Sequence, residues 1–230
     1  RYFVGQLRER GIPYLYLTNN SSRTPAQVAE KLRRMGFPAE EEQVFTAAQS
    51  AARLLTKKGE HPRVYAIGEE GLMEALRKAG CRLVQEKADA VVVGIDRQFT
   101  YDKLKRASLE IRAGARFVAT NGDRVIPTEE GLLPGNGSLC AAVAAASGVN
   151  PVITGKPKPL IFQYALELLG TSRKKTLVVG DNLETDIRGG RDAGMDTLLV
   201  FTGVTTPEDG HSSEIQATHA LEDLRDWNHF

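Results

Sequence analysis

A hydroxyl and two amides follow an apolar run in the segment Leu17-Thr-Asn-Asn-Ser-Ser22. Ligands of open parallel sheets bind at the carboxyl ends of strands, where such groups can hydrogen-bond an oxyanion. The segment therefore favours an anion-binding site. A polar turn, in which Asn and Ser satisfy their own backbone, explains the same residues equally well.

A second segment, Thr154-Gly-Lys-Pro-Lys-Pro159, leads directly into an apolar helical pattern that begins near Leu160. A lysine at this point places a compact positive charge at a helix N-terminus, where anions are already favoured. Lys156 could thus hold a phosphoryl group. A solvated loop lysine is the simpler alternative, because a Gly-Lys-Pro triplet by itself is weak evidence.

The third segment, residues 178–186, is an apolar strand that ends in Gly-Asp and carries a second acid five residues later. The carboxylate of Asp181 can ligate a hard cation such as Mg²⁺, and Asp186, expected at the start of the next helix, can brace the site or cap that helix. The spacing excludes an EF-hand, and no G-x-G-x-x-G motif of a dinucleotide-binding loop follows any strand.

These segments lie in a chain whose apolar strands alternate with amphipathic helices. Short apolar runs suit parallel strands buried on both faces and predict an α/β fold. The strands are expected at 14–17, 64–67, 90–95, 117–119, 176–179 and 197–201, and the main helices at 24–34, 69–79, 101–113, 139–147 and 160–169. A further helix is expected over the first residues, with a stop at Gly11.

Two polar, turn-forming stretches, Lys57–Pro62 and Gly148–Pro151, divide the chain. The block between them has strands and helices of its own. We therefore expect a core domain built from residues 1–55 and 151–230, interrupted by an inserted α/β cap domain at 56–150.

In chain order the three segments resemble the motifs of the haloacid-dehalogenase-like (HAD) superfamily hydrolases. LTNNS, GKPKP and GDNLETDI look most like those of the NagD or p-nitrophenylphosphatase-like subgroup, whose large α/β cap is inserted between the first and second of these motifs. VVGID (92–96), ATNGD (119–123) and PGNGS (134–138) extend the resemblance through the cap. The resemblance implies a doubly wound parallel-sheet core of the HAD-like Rossmannoid type with an inserted α/β cap.

The resemblance also implies roles for individual residues in a Mg²⁺-dependent phosphatase that works through an aspartyl-phosphate. Thr18, Asn19 and Asn20 would bind the phosphate and nearby substrate atoms, with Thr18 and Lys156 as the catalytic groups of this chain. Lys156 would neutralise phosphoryl charge, and Asp181 would hold the metal with support from Asn182 and Asp186. In the cap, the polar residues Asp96, Asn121 and Asp123 could line the opening and select the substrate, although solvated loop positions are the commoner explanation for such residues.

The family's first motif, Asp-x-Asp-Gly-Thr, is not found in residues 1–230. Because the sequence opens within a helical pattern, we expect the nucleophilic aspartate upstream of residue 1 and this chain alone to be inactive. The main alternative is a phosphate-binding pseudo-enzyme or regulatory scaffold, which a replaced leading aspartate would favour. A nucleotide- or cofactor-dependent enzyme would need a glycine-rich phosphate loop, which these residues lack.

Composition limits the expected partners. Thirty basic and twenty-nine acidic residues give a formal net charge of +1 without long single-sign blocks, so no nucleic-acid or membrane partner is indicated. Two isolated cysteines fit reduced thiols, and we expect a cytoplasmic protein. The resemblance indicates a small phosphorylated metabolite as substrate and a homodimer formed through the cap.

Overall fold

The computed structural model describes residues 1–57 and 59–227. Its α-helices are α1 Tyr2–Glu9, α2 Pro25–Arg34, α3 Ala47–Thr56, α4 Glu70–Lys78, α5 Tyr101–Arg112, α6 Asn136–Ser147, α7 Pro159–Leu169, α8 Arg188–Asp192 and α9 Pro207–Ser212. Its strands are β1 Tyr16–Thr18, β2 Val44–Thr46, β3 Arg63–Ile67, β4 Arg82–Leu83, β5 Ala90–Val93, β6 Arg116–Ala119, β7 Val125–Thr128, β8 Gly131–Pro134, β9 Val152–Ile153, β10 Leu177–Gly180, β11 Asp196–Val200 and β12 His219–Leu221. The expected α/β fold is confirmed.

The chain forms two compact units. One contains Arg1–Tyr16, Ala29–Gln43 and the chain from Lys156 onward, and the other contains Leu17–Val28 and Val44–Gly155. This division follows packing and passes through β1 and α2. The expected functional division, a core of 1–55 and 151–230 with a cap at 56–150, stays a prediction, and its first linker includes Lys58, which lies outside the described residues.

The first unit is organised around the parallel sheet β10-β11-β12. β11 is the central strand, and four of its five residues are buried. Leu183, Ile187, Leu199 and Ile215 form a small apolar cluster beside this sheet. The carboxyl end of β10 is thus held by its pairing with the buried strand β11.

The second unit contains a parallel sheet with the strand order β4-β3-β5-β6-β9. Side chains alternate between its two faces: Val64 and Val92 pack in the cluster formed with α3 and α4, whereas Tyr65 and Val91 pack in the cluster formed with α5 and α6. Both faces are therefore covered by helices, which explains the uninterrupted apolar runs of β5 and β6.

Several segments differ from expectation. The strand expected at 14–17 is observed as β1, two residues later, and it pairs with β2. The β2–α3 segment at 44–56 was not predicted, nor was the antiparallel hairpin β7–β8. The α3 helix begins with a capping box, in which Thr46 and Gln49 satisfy each other's backbone N–H groups. In the part of the chain that the structure describes, no helix is both long and apolar enough to cross a membrane.

Candidate active site

The carboxyl end of β10 positions Asp181. The N–H of Val204 donates to Asp181 Oδ2 at 2.7 Å, and the N–H of Thr205 donates to the Asp181 carbonyl oxygen at 3.0 Å. A Cβ atom at Gly203 would overlap the Asp181 carboxylate, so only glycine permits this close approach. One carboxylate oxygen is thus held by the 203–205 loop, which fixes the direction in which the carboxyl group points.

Asn182 caps the next helical segment, a one-turn π-helix over Leu183–Ile187. Its Oδ1 accepts hydrogen bonds from the N–H groups of Glu184 at 2.9 Å and Thr185 at 3.1 Å. The expectation that Asp186 starts and caps this helix is therefore wrong. The earlier Asn already satisfies the N–H groups at the helix start, which leaves Asp186 inside the turn.

Asp186 instead forms an ion pair with Lys156. Lys156 Nζ lies 2.6 Å from Asp186 Oδ1, and the two side chains are only 14% and 11% exposed. Asp186 Oδ2 accepts from the Asn182 N–H at 3.3 Å, and Gly180 leaves the room, since a Cβ there would lie 2.6 Å from Oδ2. The lysine is thereby tied to the end of β10, and the solvated-loop explanation of Lys156 is excluded by its burial.

In the second unit, Thr18 and Asn20 shape the loop after β1. Thr18 Oγ1 accepts from the Asn20 N–H at 3.1 Å, so its hydroxyl hydrogen can be directed to another acceptor. The Asn20 side chain turns back on its own loop: Oδ1 accepts from the Arg23 N–H at 2.9 Å, and Nδ2 donates to Ser22 Oγ at 3.3 Å. Asn20 thus stabilises the turn by the local bonds typical of such residues.

Asn19 contacts a second loop of the same unit, which contains Asn121 and Asp123. Asn19 Nδ2 donates to Asp123 Oδ2 at 3.1 Å, and Asn121 Nδ2 donates to the Asn19 carbonyl oxygen at 2.8 Å. Asn121 is only 6% exposed. The structure therefore brings the predicted phosphate-binding asparagine together with two of the three residues expected to select the substrate.

The third of these residues, Asp96, lies apart from that network. Its side chain is 3% exposed and pairs with Lys103 Nζ at 2.6 Å, and its Oδ1 accepts from the Gln98 N–H at 2.9 Å. Burial excludes the solvated-loop explanation for Asp96. The ion pair and the hydrogen bond fix the loop that follows β5.

Sequence reasoning gave no role to the residues that make these close contacts possible. Gly155 and Gly203 are required by the proximity of Asn19 and Asp181 respectively, and the buried Asn136 anchors the Asn121 loop. Glycines beside polar motifs were the only available signal, and they do not identify their partners.

Comparison with known proteins assigns the family. A HAD-hydrolase-like family model matches residues 153–227, and a haloacid dehalogenase-like hydrolase model matches residues 2–82. The 5'-nucleotidase YutF of Bacillus subtilis is 52% identical over 225 residues, which cover 98% of this chain and 88% of that protein.

Solved structures agree with this assignment. A double mutant of the thermostable NPPase, a p-nitrophenylphosphatase, from Geobacillus stearothermophilus superimposes with a TM-score of 0.94 at 46% identity, covering 99% of this chain and 90% of that one. The glycerol phosphate phosphatase of Mycobacterium tuberculosis, solved in complex with calcium, superimposes with a TM-score of 0.90 at 41% identity. The match covers 96% of this chain and 67% of that one.

The chain belongs to the haloacid dehalogenase-like hydrolases. Its fold is the α/β Rossmannoid core with a cap that characterises them. Within them it falls in the NagD-like subgroup with the p-nitrophenylphosphatases, and it is a phosphoric monoester hydrolase.

Proposed function

We propose that the protein hydrolyses small phosphate monoesters with Mg²⁺, through an aspartyl-phosphate intermediate. The buried Lys156–Asp186 ion pair at 2.6 Å, tied to the end of the strand that positions Asp181, is the observation that supports this most strongly. A buried lysine held by a carboxylate keeps a positive charge in a fixed place, which is what the charge developing on a transferred phosphoryl group needs.

The donor set at this strand end fits a hard divalent cation. Mg²⁺ binds through one or two carboxylates and takes its other ligands from water and substrate phosphate. Among residues 1–57 and 59–227, no group of three or more Asp, Glu, His or Cys side chains could hold a metal. We therefore propose a site that protein side chains complete only in part. Asp181 would hold the ion, with Asn182 and Asp186 shaping its surroundings. When bound, Mg²⁺ supplies charge neutralisation at the phosphoryl oxygens.

The remaining roles belong to side chains of the chain itself. Thr18 donates its hydroxyl hydrogen to a phosphoryl oxygen, because the bond from the Asn20 N–H occupies only a lone pair of Oγ1 and leaves the O–H as a donor. The Lys156 ammonium stabilises phosphoryl charge electrostatically. Asn19 and Asn20 shape the loop that presents Thr18, and Asp186 holds Lys156.

The nucleophile is proposed to be the leading aspartate of the Asp-x-Asp-Gly-Thr motif, which residues 1–230 do not contain. Its carboxylate attacks phosphorus as the ester P–O bond breaks, and the leaving alcohol takes a proton from the second aspartate. Water then attacks the phosphorus of the aspartyl-phosphate and gives a proton back to the second aspartate, so that phosphate leaves and the nucleophilic carboxylate is restored. We call residues 1–230 preceded by a segment with this motif the extended chain, and we expect residues 1–230 alone to be inactive.

The substrate is proposed to be a small phosphorylated metabolite. The relatives named above are a nucleotidase, a p-nitrophenylphosphatase and a glycerol phosphate phosphatase. These substrates share a phosphate monoester and little else, so selection must come from groups outside the phosphate site. Asp96 remains a proposed specificity residue. It would act by holding the shape of the loop after β5, through its ion pair with Lys103 and its bond from the Gln98 N–H.

The test is phosphate release by the extended chain from p-nitrophenyl phosphate, glycerol 3-phosphate and a nucleoside 5'-monophosphate over a Mg²⁺ titration. Asp181→Asn should lower turnover by at least ~100-fold and remove the Mg²⁺ stimulation, because metal binding contributes several kcal/mol. The matched control is Asp192→Asn, an exposed carboxylate in the same unit. Mg²⁺-stimulated turnover that survives in Asp181→Asn would refute the metal assignment.

A phosphate-binding protein without turnover is the second candidate, which a replaced leading aspartate in the first motif would favour. Phosphate binding without hydrolysis by the folded extended chain would support it.

A further inference from the structure

We infer that Asn121 and Asp123 are positioning residues: they hold Asn19, and through it the Thr18-Asn19-Asn20 loop, rather than selecting the substrate. The inference rests on the proposed function, since it gives these residues a task in the same reaction. It concerns contacts within the second unit only.

Asn19 is held at both its backbone and its side chain. Asn121 Nδ2 donates to the Asn19 carbonyl oxygen at 2.8 Å, and Asp123 Oδ2 accepts from Asn19 Nδ2 at 3.1 Å. Asn121 Oδ1 in turn accepts from the Asp123 N–H at 3.1 Å. Both polar ends of the Asn121 amide are therefore engaged inside the network, and the charged acceptor strengthens the bond to Asn19.

The loop that carries these two residues is itself anchored to the sheet. The side chain of Asn136, 1% exposed at the start of α6, donates to the Asn121 carbonyl oxygen at 2.8 Å and to the Val93 carbonyl oxygen at 3.2 Å. The Gly137 N–H donates to the Asp123 carbonyl oxygen at 2.8 Å. The network thus extends from Asn19 to the carboxyl end of β5, all of whose residues are buried.

The other side of the Asn19 amide faces Gly155, the residue directly before Lys156. A Cβ at Gly155 would lie 2.6 Å from Asn19 Oδ1 and would overlap the Thr120 carbonyl oxygen. The preceding Thr154 is fixed to β6, since its N–H donates to the Ala119 carbonyl oxygen at 3.0 Å. Asn19 therefore sits between Asp123 and the backbone that leads to the lysine, and rotating its amide would disturb both.

A positioning role predicts a loss of kcat rather than of substrate affinity. Removing the acceptor in Asp123→Ala should lower kcat of the extended chain for p-nitrophenyl phosphate by about 10- to 100-fold with little change in KM, because small displacements of positioned groups are costly. Asp123→Asn keeps an acceptor oxygen and should restore most of the rate. Asp102→Ala removes an exposed carboxylate from the same unit and should change neither parameter.

Coupling to Asn19 is the decisive test. If Asp123 acts through Asn19, then Asp123→Ala introduced into an Asn19→Ala background should lower kcat by less than about twofold further. Independent, multiplicative losses in the double variant would overturn the inference. A rise in KM alone, without loss of kcat, would do the same and would return Asp123 to substrate selection.

A second readout does not depend on turnover. In residues 1–230, amide hydrogen exchange of residues 17–22 should be faster in Asp123→Ala than in the unsubstituted chain, and unchanged in Asp102→Ala. Equal exchange in all three would overturn the inference. Absence of turnover in the unsubstituted extended chain would refute the proposed function instead, and hydrogen exchange would still decide the positioning role.

Discussion

Replacing Lys156 by methionine tests the buried ion pair directly. The substitution keeps an unbranched chain but leaves the Asp186 carboxylate, 11% exposed, without its ammonium partner 2.6 Å away. Breaking a buried pair by removing one partner costs about 3–5 kcal/mol, and the residual exposure favours the lower end. For a chain of this size, about 3 kcal/mol corresponds to a fall in Tm of roughly 6–12 °C.

The matched variants separate pairing from packing. Asp186→Asn in the Lys156→Met background removes the orphaned charge, so the double variant should recover at least about half of the lost Tm, because replacing both charges is often nearly neutral. Thermal unfolding followed by circular dichroism measures the unsubstituted protein, Lys156→Met, Asp186→Asn and the double variant. A Tm within about 2 °C of the unsubstituted protein for Lys156→Met, or additive losses in the double variant, would refute the reasoning.

Gly155→Ala should lower Tm by several degrees, because its Cβ would overlap a neighbouring carbonyl oxygen. Gly5→Ala in α1, where an added Cβ would meet no atom within 4 Å, should instead stabilise the protein by about 0.5–1 kcal/mol. Losses of similar size in both variants would contradict this. Hydrogen bonds from Arg63 lower the pKa of Asp89 to about 2, below its unfolded value, so their contribution is present above pH ~4 and is lost as pH falls towards 2. Asp89→Asn should therefore flatten urea-unfolding stability over this window, and an unchanged acid dependence would count against the pairing. Burial raises the pKa of Cys140 to about 12, so a thiol reagent at pH 8 should modify it only after unfolding; fast modification of the folded protein would show the thiol to be accessible.

Local sequence patterns predicted those helices and strands in which apolar residues recur at a regular spacing. The runs that became β5 and β6 are apolar because both faces of their sheet are covered, and α5 and α7 were placed to within about two residues. The segment at 44–56 was missed although Thr46-x-x-Gln49 is a capping-box pattern. The β7–β8 hairpin was missed because its exposed residues have no core-facing period to detect.

The sequence singled out individual candidate site residues but not their partners. Lys156 and Asp186 are 30 residues apart, and Asn19 and Asp123 are 104 residues apart. Neither pairing leaves a local signature, because each depends on which strand ends the fold brings together. For the same reason, residue types suggested metal support for Asp186 but not its ion pair with Lys156; the metal-supporting role stays a prediction. The expected homodimer through the cap stays a prediction.

The most direct test of the central claim is Mg²⁺-dependent phosphate release from p-nitrophenyl phosphate, measured side by side for residues 1–230 and for the extended chain, both shown to be folded. We predict turnover in the extended chain alone, abolished by Asp181→Asn. Phosphate binding without release by the folded extended chain would contradict the claim, and equal turnover by both chains would show that the nucleophile lies within residues 1–230.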